Sequence, residues 1–439
     1  MIIALALIVM VGIPVKGNVF NLTIPAPPTE SESIVVMDAD TGVILYDKQG
    51  ETSYMPASTT KVMTAILTME NLELDQLITV GPKPPFAEGS SMGFKEGEII
   101  SVENLLYCLL LQSANDSAEI LAEAISGTTE DFAILMTNKA KEIGAVNTIF
   151  MNPSGLHVEG SNNYTTAKDL AMITAYAGKF KKITEIEQVK SYMLPFTNLL
   201  TDTNRWVANK NDLFKENSES YYEPVIFAKT GWTPKAGNAH TALAEKDGKR
   251  VIVSILRGAS QKTYWQETKN LMEWAFEHTN VMPLYSKGQE IKTMTLSNGK
   301  ETTLLAKDDF YYISSQKESA NPFLSFDDLI IEKDYKSGEV IHEAKIMMDE
   351  KEIGTLDLIS EDDILFNPEE ESTEKEEVLT ESSTLDLSDN VLIVGISVSS
   401  LVLLLLFSIR AYNISKRKKR RSLARHNLQY KKRKQEERY

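Results

Sequence analysis

The sequence predicts a mixed domain of strands and helices, α+β or α/β in class, followed by a small all-β module and one membrane-length apolar run. Three observations predict it. Between about residues 24 and 284, short β-prone stretches alternate with amphipathic helical ones. From 285 to 366 only short alternating runs occur, separated by Asn-Gly, Lys-Ser-Gly and Asp-Glu turns. Val391–Ile409 then offers 19 residues without a charge, about 28 Å as a helix and so close to a bilayer's hydrocarbon thickness.

Met1–Val15 is almost wholly apolar, and residues 1–17 are expected to be a secretory signal or else an N-terminal apolar segment buried in the fold. No basic residue precedes the run and no A-x-A site follows it. In the mixed domain, Ile34–Met37 and Val43–Tyr46 flank Asp38–Gly42 and predict a hairpin. Pro56 precedes Ser58–Glu70, which has apolar residues at 62, 63, 66, 67 and 69 and no internal Pro or Gly. That spacing predicts an amphipathic helix starting at or near Ser58. Leu105–Leu111 and Ala118–Ile125 predict two further helices joined by Gln112–Ser117, with Gly127 ending the second. Val225–Lys229, Thr241–Ala244 and Val251–Leu256 read as strands, and Lys269–His278 as a helix. The module from 285 to 366 has β-prone runs at Ile291–Leu296, Thr302–Leu305, Leu329–Glu332, Ala344–Met348 and Gly354–Ile359. Residues 367–390 are rich in Glu, Ser and Thr, too poor in apolar groups to fold, and predict an acidic stalk.

With 439 residues the chain is long enough for two domains, and 42% apolar with 25% charged residues excludes wholesale disorder. The single cysteine, Cys108, excludes an internal disulfide and reads as a small core residue. The net charge of −16 hides an asymmetry: residues 410–439 hold 13 Lys/Arg against 2 Asp/Glu. This positive-inside bias predicts a single-pass protein of the cell membrane, with residues 391–409 as the span, 410–439 as a cytoplasmic tail and everything before them extracytoplasmic. A basic cluster directly after a span reads as stop-transfer and lipid-headgroup contact rather than nucleic-acid binding. The five histidines have no metal spacing, and no Gly-rich nucleotide motif appears, so no metal or cofactor is expected.

Three short motifs fall in order: Ser58-Thr59-Thr60-Lys61, Ser113-Ala114-Asn115 and Lys229-Thr230-Gly231. Each has decoys. S-x-x-K recurs at Ser297, Ser314, Ser372 and Ser415, S-x-N at Ser161 and Ser388, and Lys336-Ser337-Gly338 imitates the third. Only Ser58 opens a strong amphipathic helix, where an offset of three puts serine and lysine on one face. Ser161 also fits the order in the chain, but Ser113 is preferred because it lies in a tight connection between helices, and Lys229 ends a β-prone run whose Gly231 admits a ligand to the backbone. A serine hydroxyl needs a base, and a buried lysine near a second cation serves once its pKa is depressed. Lys61 is therefore the candidate base for Ser58. Ser113 can pass the proton to a leaving amine, Asn115 orients Lys61 and a substrate amide, and Lys229 with Thr230 holds a carboxylate. Gly89-Ser90-Ser91-Met92-Gly93 matches the nucleophile-elbow pattern, but the residues after it do not form the helix that pattern requires.

The stretches MDADTGVILYDK, PASTTKVMTA, LLQSANDSAE, MNPSGLH, YTTAKDLAMI and AKTGWTPKAGNA resemble the low-molecular-mass penicillin-binding proteins, the D-alanyl-D-alanine carboxypeptidases, over roughly residues 30–360. The resemblance implies an α+β catalytic domain of transpeptidase and β-lactamase type, an antiparallel sheet flanked by helices, at about 24–284, with a β domain at 285–366. It implies an acyl-enzyme on Ser58, Lys61 as base, Ser113 and Asn115 as the second element, and Lys229 on the substrate carboxylate. The oxyanion hole falls to the backbone N–H groups of Ser58 and Trp232. The implied substrate is a peptidoglycan stem peptide ending in D-Ala-D-Ala, with β-lactams as mimics. Three departures stand out: a spanning helix in place of an amphipathic anchor, Asn163 where a histidine is common, and only Arg257 and Lys262 as basic residues after Leu256. A β-lactamase and a non-catalytic wall sensor are the competing readings.

Overall fold

The computed structural model describes residues 18–366 apart from 23, 158, 161, 202–203, 296–300, 316–321, 327–330, 332 and 349–350. The apolar N-terminal run, the acidic stalk, the 391–409 segment and the basic tail lie outside the described residues, as do Ser161, Ser297, Ser372, Ser388 and Ser415. Among the described residues no helix is long and apolar enough to cross a membrane.

The predicted hairpin forms, with Ser33–Asp38 pairing antiparallel to Ile44–Lys48. Lys249–Gly258 adds to the other edge of Ser33–Asp38, followed by Gly237–Lys246 and then Val225–Thr233, giving one five-stranded, wholly antiparallel sheet. All six residues of Ser33–Asp38 are buried. That is why the run reads as continuously apolar rather than alternating: both faces of the sheet are covered. Val35, Met37, Phe227, Leu243 and Ile252 enter one core, and Ile34, Val36, Ala242, Val251 and Val253 enter the other, as a two-residue period requires.

Six helices build the first core: α1 (Lys61–Asn71), α2 (Val102–Leu111), α3 (Asn115–Ser126), α4 (Thr129–Glu142), α5 (Ala167–Ala177) and α6 (Lys181–Glu187). α7 (Gln261–His278) covers the opposite face with Tyr264, Trp265, Leu271 and Met272. The caps follow the sequence. Thr128, Thr166 and Ser260 each accept from the backbone N–H three residues on, and Gly127 ends α3 at φ +78°. Cys108 is fully buried in the first core, and burial pushes its thiol up and keeps it protonated.

The C-terminal region is all-β. Its sheet runs Glu290–Thr295, Glu301–Ala306, Lys351–Ser360, Val340–Met348 and Phe323–Ser325, antiparallel throughout, around Leu304, Phe310, Ile346 and Leu358. A three-stranded sheet of Asn18–Asn21, Phe310–Ser314 and Asn280–Tyr285 stands beside it, and Ile313 joins the second core. The expected run Leu329–Glu332 falls largely outside the described residues.

Candidate active site

The helix at Ser58 starts differently from the pattern's prediction. Ala57–Thr60 is a 3₁₀ turn and the α-helix begins only at Lys61. Pro56 precedes the turn, and Ala57 sits at φ +47°, a left-handed value that α-helix cannot accommodate in a residue with a side chain. The turn leaves Ser58 partly open to solvent while Lys61 is fully buried. The strain is held by the surroundings. Thr59 bonds back to the Pro56 carbonyl through both its N–H and its hydroxyl, and Asn163 donates to Thr60 Oγ1 at 3.0 Å.

Lys61 Nζ donates to Ser58 Oγ (3.2 Å), Asn115 Oδ1 (2.6 Å) and the Ser154 carbonyl (2.7 Å). Burial first, and then the charge of Lys229, hold its pKa well below the ordinary lysine value. Its three partners are neutral, so nothing within bonding range restores the proton by charge pairing.

Ser113 occupies the Gln112–Ala114 connection between α2 and α3 with φ +60°. Its hydroxyl accepts from Lys229 Nζ at 3.0 Å, and the same amine donates to the Thr230 carbonyl at 3.1 Å. Lys229 lies on the edge strand of the sheet and is buried. Burial lowers its pKa, and the carboxyl of Glu187, itself buried at the end of α6 and raised by burial, works in the opposite direction.

Gly231 explains how the strand approaches the turn so closely. A Cβ there would stand 2.7 Å from Ser58 N and 3.0 Å from both Pro56 O and Thr59 N, so only glycine fits. Gly155, at φ +79°, plays the same part on the other side, where a Cβ would overlap the Ala57 carbonyl. It belongs to the Asn152–Gly155 loop that offers its carbonyl to Lys61. Asn163 ties this loop to the turn by accepting from Met151 N and Asn152 N.

Ser58, Lys61, Ser113, Asn115, Lys229, Thr230, Gly231 and Trp232 thus meet at one place. Five of them, Ser58, Ser113, Thr230, Gly231 and Trp232, line a cleft of about 500 Å³ together with Ser90, Lys210, Asn238 and Tyr264, and buried Lys61, Asn115 and Lys229 stand behind them. Sequence reasoning missed Lys210, which belongs to no motif, and met Ser90 only inside the elbow look-alike that it set aside. Arg257 and Lys262 are not among the lining residues. Arg257 lies at the end of its strand that is level with Gly231 and Trp232, but it donates to the Lys235 carbonyl, and Lys262 pairs with Glu219 at 3.1 Å. Lys210, which is exposed, lines the cleft.

The decoys separate by place. Ser314 is buried at the end of a strand in the C-terminal region, and Lys336–Gly338 is an exposed turn there. Ser91 lies in a loop with no strand before it and no helix after it, so the elbow geometry is absent. Among the described histidines, His240 is fully buried and kept neutral, its pKa pulled to about 3 by burial and by Lys229.

Comparison with known proteins gives concordant matches. The family model for D-alanyl-D-alanine carboxypeptidases matches residues 21–260, and that for the C-terminal domain of penicillin-binding protein 5 matches residues 280–365. The D-alanyl-D-alanine carboxypeptidase DacF of Bacillus subtilis is 33% identical over 62% of this chain and 69% of its own length. A solved D-alanyl-D-alanine carboxypeptidase of Mycobacterium tuberculosis is 28% identical with a TM-score of 0.53, covering 58% of this chain and 95% of its own. Penicillin-binding protein 5 of Haemophilus influenzae, at 24% identity, shares the fold over 77% of this chain and 99% of its own with a TM-score of 0.62.

Proposed function

The chain belongs to the D-alanyl-D-alanine carboxypeptidase family, and from that premise we propose that Ser58 is the nucleophile on which its reaction turns. The protein is a serine-type peptidase that removes the terminal D-alanine of peptidoglycan stem peptides and binds β-lactams.

The observation that carries the residue assignment is the Lys61 amine: fully buried, 3.2 Å from Ser58 Oγ, held by three neutral partners and biased towards its neutral form. A neutral amine there accepts the Ser58 proton as Oγ attacks the carbonyl of the penultimate D-alanine. The oxyanion forms beside the Ser58 and Trp232 N–H groups, on the side where Gly231 keeps strand and turn in close contact. The carbon–nitrogen bond then breaks, and the proton on Lys61 passes by way of Ser113 to the leaving D-alanine nitrogen. Water attacks the ester with Lys61 again as base and frees Ser58. Lys229, Thr230 and the exposed Lys210 hold the terminal carboxylate. A β-lactam acylates Ser58 by the same step, but its amine stays tethered and occupies the path of the water.

Membrane attachment is part of the reading. Residues 391–409 serve as the span, 410–439 as a basic cytoplasmic tail, 367–390 as a stalk, and residues 1–17 as the export signal. The support is the apolar run followed at once by the basic cluster. The cleft then faces the compartment that contains its wall substrate.

D-alanine release from a D-Ala-D-Ala peptide is expected from the wild type and not from Ser58→Ala. Release by a folded Ser58→Ala protein would refute the nucleophile. Fast penicillin turnover without any D-alanine release would favour a β-lactamase.

A further inference from the structure

The loop Glu88–Phe94 contains the elbow look-alike and supplies no group to the mechanism above, yet it is tied to it at both ends. Asp116, the residue after Asn115 at the start of α3, is fully buried. Its Oδ2 accepts from Ser91 Oγ (2.6 Å) and from three successive backbone N–H groups, Met92 (2.9 Å), Gly93 (2.9 Å) and Phe94 (3.4 Å). Oδ1 accepts from Ser117 N at 2.9 Å. Consecutive N–H groups converging on one carboxylate oxygen form an anion nest, and Gly93 at φ +72° allows the backbone to curl in this way. The loop returns two bonds to Asn115: its N–H donates to the Ser90 carbonyl at 2.7 Å, and Nδ2 donates to the Glu88 carbonyl at 2.6 Å. With Nδ2 held there, Oδ1 points at Lys61.

We propose that Asp116 is a positioning residue of the acyl transfer: it latches the 88–94 loop to the start of α3, and the loop in turn fixes the Asn115 amide against the Lys61 amine. The inference rests on the reading of Lys61 as base. Asp116 also acts on that amine through space. Its charge favours the protonated form, as does Glu119 one turn later, while burial and Lys229 oppose it.

The test is the pH dependence of acylation by a fluorescent penicillin, comparing Asp116→Asn with its parent, both carrying Glu119→Gln. The second substitution removes a carboxyl whose pKa burial and the neighbouring Glu123 and Asp116 raise to about 7, so that the acidic limb reports Lys61. Asp116→Asn is expected to slow plateau acylation about ten-fold or more through misplacement of the amine. It should also move the acidic limb to lower pH, because Lys61 then sheds its proton more readily. The limb reports the charge of Asp116 at the amine, whereas the plateau rate of the folded variant reports the latch. A plateau rate within about two-fold of the parent overturns the proposal. Should Asp116→Asn not fold, Ser91→Ala decides: it keeps the charge, removes one latch bond, and must slow acylation a few-fold with the limb unmoved. Parental acylation in that variant overturns the latch. Lys61→Ala, measured alongside, separates the two readings: full acylation there refutes Lys61 as base and leaves the latch to be judged by its own variants.

Discussion

Two lysine-centred tripeptides, Lys229-Thr230-Gly231 and Lys336-Ser337-Gly338, are near-copies in sequence and opposites in structure. The first lies on the edge strand of the central sheet. Its lysine is buried and donates to Ser113 Oγ, and its glycine is pressed against the Ser58 turn. The second is an exposed turn in which Lys336 pairs with Asp363 at 3.0 Å and Gly338 has open space around it. A surface pair of this kind is worth little to stability. A buried cation costs several kcal/mol, roughly, and persists where something other than stability requires it. The difference teaches that burial, and not the letters of the motif, separates the copy at the cleft from the copy on the surface.

The largest test of this contrast is at the buried amine itself. Lys61→Ala should reduce acylation by about 10³-fold, within the range for loss of a general base, measured as the second-order rate with a labelled penicillin. Next, Lys229→Ala should cost about a hundred-fold in the same assay, as for loss of one charge-stabilising donor. Lys336→Ala should stay within about two-fold of wild type, as surface changes do. Equal losses at the two lysines would break the comparison. The glycines sharpen it. Gly231→Ala must push backbone against Ser58 N and is expected to abolish most activity. Gly338→Ala, at φ +78°, should cost only about 1–2 kcal/mol of backbone strain, read as a lower Tm at unchanged activity.

The smallest effect is in the pH profile. Lys61 must be neutral to act and its pKa is lowered, so acylation should rise with pH through a midpoint well below the ordinary lysine value of about 10.4. Lys229 must be charged to hold a carboxylate, and burial lowers its pKa too, so kcat/KM should fall again on the alkaline side. A bell-shaped kcat/KM is therefore expected. A rate that keeps rising to the ordinary lysine range would contradict both assignments.

Much of this was legible in the sequence. The hairpin at 33–48, α1, α2, α3 and the strands at 225–258 follow apolar spacing and turn residues. The three motifs meet at the cleft, and the described decoys, Ser314 and Lys336–Gly338, lie in the C-terminal region. What was not legible has physical reasons. The 3₁₀ turn before α1 depends on φ +47° at Ala57, and an alanine gives no hint of a left-handed backbone. The carbonyls of Ser154 and Glu88 that hold Lys61 and Asn115 are backbone atoms with no residue-type signature. Lys210 is brought to the cleft by the chain leaving the short strand Trp206–Ala208, a long-range placement that no local pattern encodes. The Gly89–Gly93 stretch matches the elbow pattern in sequence, but in the structure Ser90 lines the cleft and Ser91 binds Asp116.

The central claim is that Ser58, activated by Lys61, is the residue that is acylated. Intact-mass measurement after penicillin treatment, followed by peptide mapping, tests it most directly. One adduct equal in mass to one penicillin is predicted on the wild type, located on the peptide that contains Ser58, with none on Ser58→Ala. No adduct on the wild type, or an adduct that survives Ser58→Ala, would contradict it.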